Sequence, residues 1–104
     1  MIAVPTAYVT APRDAAADIA EQLVERRLAA CVNVVDCRSV YRWDGDTVSD
    51  DESVLFVKTT DGAYDAFVRA IEELHPHDVP CIERFDEDDV AARFAEWRAD
   101  SVVD

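Results

Sequence analysis

Apolar positions along this chain switch between a period of two and a period near 3.6, and the switches mark out its elements. Residues 4–10 read as a first strand, with Pro5 near its start, where a missing amide donor is tolerated. After Thr10-Ala11-Pro12 the pattern turns helical over 13–28, with Ala16, Ile19, Ala20, Leu23 and Leu28 on one face. A long strand follows over 30–43, expected to bend or bulge near Asp36 and Cys37. Asp44-Gly45 then signals a hairpin whose connection reads as longer than a tight turn. The third strand spans 52–60, and its Val54-Leu55-Phe56-Val57 run predicts burial on both faces. A second helix over 63–74, capped by Asp61 and stopped by Pro76, carries Ala63, Tyr64, Phe67, Val68, Ile71 and Leu74 in one stripe. A fourth strand over 79–85 and a helix over 88–99 carrying Val90, Phe94 and Trp97 complete the pattern.

The order β-α-β-β-α-β followed by a helix predicts an α+β fold of ferredoxin-like plan, an antiparallel sheet with both main helices on one face. The 104 residues suffice for one domain, 1–104, and one core. Two helices leave the other face of the sheet bare, which predicts self-association. Tyr41 and Trp43, two residues apart on the long strand, point to the same face and need a surface to receive them.

Four motifs stand in a fixed order: LAACVN over 28–33, S-V-Y-R-W-D-G over 39–45, Lys58-Thr59, and His75-Pro76-His77-Asp78-Val79-Pro80. Together they resemble the CutA family of divalent-cation tolerance proteins, over residues 9–97. The resemblance implies a homotrimer packed around a three-fold axis, with clefts between subunits that Tyr41, Trp43, Glu52, Lys58 and His75 face. It also implies a link to metal ions, copper above all, and no organic cofactor. Some members implicate in copper binding a cysteine just before the T-A-P turn, where this chain has Val9, together with the histidine retained here as His75. His77 stands where many members have tyrosine, and Cys81 where they often have glutamate. The expected function is binding of a metal ion or small ligand at these clefts, regulatory or signalling and not enzymatic. A structural trimer that anchors partner proteins is the alternative, and an enzyme using His75 a third reading.

Charge changes the picture most. There are 23 acidic and 10 basic residues, a net charge of −13, and Lys58 is the only lysine. Such a surface repels itself at low ionic strength, whereas at 1 M salt the Debye length falls to about 3 Å and most of the repulsion is screened. A salt-rich, halophilic cytosol favours this composition; an acidic protein of an ordinary cytosol is the other reading. No basic patch is available to neutralise phosphates, which disfavours nucleic acid. No secretory signal and no apolar run of the ~20 residues that span a bilayer is visible, so a soluble cytoplasmic protein is expected. Cys31, Cys37 and Cys81 form no CxxC pair, and Cys31 and Cys37 lie roughly 20 Å apart on a straight strand, so free thiols are expected.

Enzyme signatures such as GxSxG, a Walker loop, GxGxxG or HExxH are absent, and two glycines cannot build a phosphate-cradling loop. The metal candidates are His75, His77 and Cys81. Pro76 pushes His75 towards an extended conformation, so imidazoles at i and i+2 point the same way and suit a borderline divalent ion; Cys81 joins if its strand returns. His75 as a helix-end residue and His77 as a surface residue are the plain alternative. Cys31 reads as a small buried apolar residue and Asn33 as a partner for a backbone group. Lys58 beside the apolar run needs a partner, expected from a neighbouring subunit because Glu52, on the same strand face, is roughly 20 Å away. Trp43 and Glu52 are expected near the turn end of the hairpin.

Overall fold

Strand alternation decides where the core sits. In β1 (Pro5–Pro12), Ala7, Val9 and Ala11 are fully buried, and the antiparallel register sets them beside Val57, Leu55 and Ser53 of β3 (Asp46–Lys58). Against this face α1 (Arg13–Glu25) lays Ala16, Ile19, Ala20 and Leu23, and α2 (Tyr64–Leu74) lays Phe67, Ala70 and Ile71. With β2 (Cys31–Trp43), β4 (Ile82–Asp86) and α3 (Ala92–Ser101), the computed structural model describes residues 4–103. Residues 1–3 and 104 of the expected 1–104 domain lie outside the described residues. All four strands form one antiparallel sheet ordered β2-β3-β1-β4, the ferredoxin-like arrangement.

The second face of the sheet carries the opposite set of side chains. Its centre is Tyr8, flanked edge-on by Phe56 at 5.9 Å and Phe85 at 6.5 Å between ring centroids. Phe56 and Phe85 are 37% and 54% exposed, so among the described residues the centre of this face is left largely open. The Val54–Val57 run is therefore buried at three positions and open at Phe56.

Both ends of the long hairpin differ from expectation. β2 pairs one-to-one with β3 from Cys31↔Lys58 to Trp43↔Asp46, with no bulge at Asp36 or Cys37. The turn is two residues, Asp44 at φ 50° and Gly45 at φ 84°, the left-handed pair that matches strand twist in a type I′ turn. β3 consequently starts at Asp46, and its pairing with β1 begins only at Glu52. Residues 38–51 thus form a two-stranded ribbon that outruns the sheet and accounts for the 44 Å long axis.

Helix ends are set by local chemistry. α1 stops at Glu25, short of Leu28, because Arg27 adopts φ 59° and directs the Leu28 amide onto the Leu23 carbonyl and its own onto Val24. Thr59 caps the same end, its hydroxyl donating to the Leu28 carbonyl at 2.7 Å. At α2 it is Thr60, not Asp61, whose hydroxyl accepts the Ala63 amide. α3 starts at Ala92, so Asp88 and Asp89 precede the helix instead of sitting in its first turn, and β4 starts at Ile82, after the 75–81 segment.

The acidic run is not uniformly solvated. Arg98, 1% exposed, grips both Glu87 carboxylate oxygens at 2.8 and 3.2 Å and donates to the Pro5 carbonyl at 3.2 Å. Thr6 donates to the same carboxylate and accepts from Lys58 Nζ at 3.2 Å. Lys58 therefore finds its partner within its own chain. Among the described residues no helix is long and apolar enough to cross a membrane, and Cys31, Cys37 and Cys81 are half-buried free thiols.

Candidate functional site

A cleft of about 490 Å³ opens where the ribbon, the end of β1 and the 75–81 segment meet. Parity on β2 places Ser39, Tyr41 and Trp43 on one side of the strand, and all three line it. Glu52 lines it from β3, Thr10 from β1, and His77, Asp78, Val79 and Cys81 from the segment after α2. Of the expected site residues, the fold gathers Tyr41, Trp43, Glu52, His77 and Cys81. Lys58 is separate from them, engaged with Thr6. Thr10, Ser39, Asp78 and Val79 are additional; Ser39 lies two residues before Tyr41, and Asp78 and Val79 stand in the motif over 75–80.

Glu52 lies further from the turn than expected. The tight hairpin pairs it with Cys37, six residues before Trp43, so the cleft runs along the strand from the carboxylate to the indole. Glu52 is 6% exposed and makes no hydrogen bond or ion pair among the described residues. Tyr41 donates to Asp50 across the ribbon; that bond, then desolvation and the Asp50 and Glu52 charges, raise its phenol above the ordinary range.

His75 holds the cleft wall in place. Its backbone turns extended directly before Pro76, at φ −79° and ψ 136°, as the proline dictates. Its ring, in a 7% exposed residue, contacts the Thr10 carbonyl through Nε2 at 2.7 Å and accepts the His77 amide on Nδ1 at 3.1 Å. This fixes the neutral Nε2–H tautomer and occupies both nitrogens. The His75 and His77 rings do approach, at 4.9 Å between centroids. Yet a metal on His75 would have to break one of its two bonds, and among the described residues no three His, Cys, Asp or Glu side chains converge to hold an ion.

Cys81 is held as a thiol. Burial raises its pKa above 9.0, the Thr10 hydrogen bonds pull it down and Glu83 pushes it up again. Its neighbour Tyr8 is likewise raised, by burial first and then by Cys81, Cys37, Glu83 and Glu52. Cys31 is half-buried with Sγ 4.0 Å from the side-chain oxygen of an exposed Asn33, which differs from the backbone role expected for that amide.

Fold and cleft define a class: a small ferredoxin-like α+β protein with one largely open sheet face and a cleft at its rim. The chain matches the CutA1 divalent ion tolerance protein family over residues 6–101 and belongs to it. It is 47% identical over 74 residues to the divalent-cation tolerance protein CutA of Thermus thermophilus, covering 69% of this chain and 72% of that one. With the Pyrococcus horikoshii protein of the same name it shares 36% identity over 91 residues, 86% and 89% of the two chains. The solved structure of the PII-like protein CutA from a Nostoc species superposes with a TM-score of 0.92 at 26% identity, covering 95% of this chain and 97% of that one.

Proposed function

We propose that the protein works as a cytoplasmic homotrimer that binds a ligand in the cleft between ribbon and 75–81 segment and reports its occupancy, without catalysis, in divalent-cation tolerance. One observation carries the reading: the cleft is continuous with an uncovered sheet face and walled by a ribbon that has no second layer. A two-stranded ribbon is marginal in water by itself, and Val40, Tyr41 and Trp43 on it are 66%, 36% and 57% exposed. Packing of copies around the open face covers Phe56 and Phe85, gives the ribbon a neighbour and places the cleft between subunits. The role of His75 is to fix the 75–81 wall against β1. A copper-like ion would use His77 and Cys81, and because among the described residues no third donor converges with them, it would draw one from another copy. Such binding would release the Cys81 proton, so affinity would rise with pH.

The test is a thermal-shift screen of divalent metals and metabolites in molar KCl with excess magnesium, which suppresses loose condensation on surface carboxylates. A hit whose stabilisation disappears in Tyr41→Ala or His77→Ala supports the cleft. Stabilisation by every hit that survives both substitutions contradicts it.

A further inference from the structure

Among the described residues six polar or charged side chains are buried: Thr6, Glu52, Ser53, Thr59, His75 and Arg98. Four are satisfied within the chain, Thr6 on Glu87, Ser53 on Asp36, Thr59 on the Leu28 carbonyl and His75 on Thr10, while Arg98 is paired with Glu87 and leaves only its Nε without a partner. Glu52 alone of the six makes no side-chain bond among the described residues, and it is the one that opens into the cleft. The Glu52 residue is 6% exposed and its carboxylate opens onto the cleft with no donor beside it among the described residues, so the site favours a positive charge it does not itself supply.

The rest of the lining has the same sign. Among the described residues no lysine or arginine borders the cleft, and Asp78 adds a second carboxylate. Tyr41 and Trp43 succeed one another along the strand, about 7 Å apart by strand rise, on the side from which Glu52 is reached. Aromatic faces bind apolar groups and attract cations, so the aromatic end suits the body of an organic amine and Glu52 its ammonium head. An anion such as a nucleotide would meet two carboxylates and no basic group.

We infer that the cleft takes a small organic cation, an amine with an apolar body, its charge on Glu52 and its body directed along the strand towards Tyr41, the nearer of the two rings. This rests on the cleft being the binding site and specifies the chemical class bound there. A metal ion alone would leave the aromatic end unused, and an arginine or lysine from a second copy would fill Glu52 by a different route.

The experiment titrates phenethylamine into the whole protein by calorimetry in molar KCl, with phenethyl alcohol and phenylpropionate as neutral and anionic probes of similar size. Phenethylamine is expected to bind at one site per chain, at least tenfold more tightly than either control. In Glu52→Gln it should weaken to the level of the alcohol, while Tyr41→Ala should weaken amine and alcohol alike. Equal binding of the three probes, all lost in Tyr41→Ala, overturns the charge selection and leaves the cleft intact. Amine preference that persists in Glu52→Gln also overturns it, assigning the preference to the acidic surface at large. Binding of none of the probes overturns this inference, and the cleft reading then falls only if the metal and metabolite screen also fails to engage Tyr41 or His77. Thermal melting supplies the second readout: Glu52→Gln should be at least as stable as the parent. A lower melting point with loss of assembly shows a basic partner from another copy and contradicts the proposal.

Discussion

Arg98 should be the most consequential single charge in the fold. It is 1% exposed, ties α3 to Glu87 and Pro5 at the edge of β1, and lies 5.2 Å from the Phe94 ring. Its Nε is buried without a partner, so the pair is not fully satisfied and its net value depends on the two charges meeting. Removing one partner of a buried pair costs about 3–5 kcal/mol because the other is left uncompensated. The Glu87 side chain is 23% exposed and keeps the Thr6 hydroxyl at 3.0 Å, which places Arg98→Met at the low end, about 3 kcal/mol. Glu87→Gln should cost less, about 2 kcal/mol, since the amide still accepts from Arg98. The double variant should be less destabilised than the sum by about 2 kcal/mol, the coupling of two groups in direct contact. Urea unfolding in molar KCl at one protein concentration measures all four corners of the cycle, with surface charges screened and assembly held constant. Coupling below about 0.5 kcal/mol would show that the two residues act independently and refute the reasoning.

The same pair predicts an acid dependence. Burial alone would raise the Glu87 pKa, but its bonds to Arg98 and Thr6 and the nearby Arg98 and Lys58 charges outweigh it and hold the carboxyl below its ordinary 4.5. A depressed folded value means that this stabilisation is complete above the unfolded value and lost as pH falls through the folded one. The stability difference between parent and Glu87→Gln should therefore be constant near neutral pH and shrink below about 4.5. A difference that grows on acidification would reverse the assigned sign. At the hairpin, Gly45→Ala should cost about 1 kcal/mol in urea unfolding, from backbone strain alone. The residue sits at φ 84° with nothing within 4 Å of an added Cβ, so a neutral result would show that the turn relaxes. Finally, the net charge of −13 should make the melting temperature climb between tens of millimolar and molar KCl; a flat profile removes the salt-adapted reading.

Element order was legible because the apolar stripes of α1 and α2 and the alternation in β1 each admit one reading. Boundaries were less so. Arg27 in a left-handed conformation ends α1 where glycine is usual, and its side-chain bonds to the carbonyls of Asp100 and Ser101, 74 and fewer residues away, cannot be seen in local sequence. The straightness of β2 depends on its complete register with β3, a pairing property and not a property of Asp36 or Cys37. For the cleft, Tyr41 and Trp43 followed from parity, whereas Glu52 joined them because the two-residue turn sets the register. His75 was visible as a chemical group but not as an engaged one: one of its bonds spans two residues and the other sixty-five.

In the proposed assembly the open sheet face and the ribbon beyond it meet other copies of the chain, and that contact would complete the cleft. Light scattering after size exclusion in molar KCl measures this directly. Three times the 11.6 kDa chain mass is the result predicted, together with quenching-resistant Trp43 fluorescence. A particle of one chain mass, with Trp43 freely quenched, would contradict it.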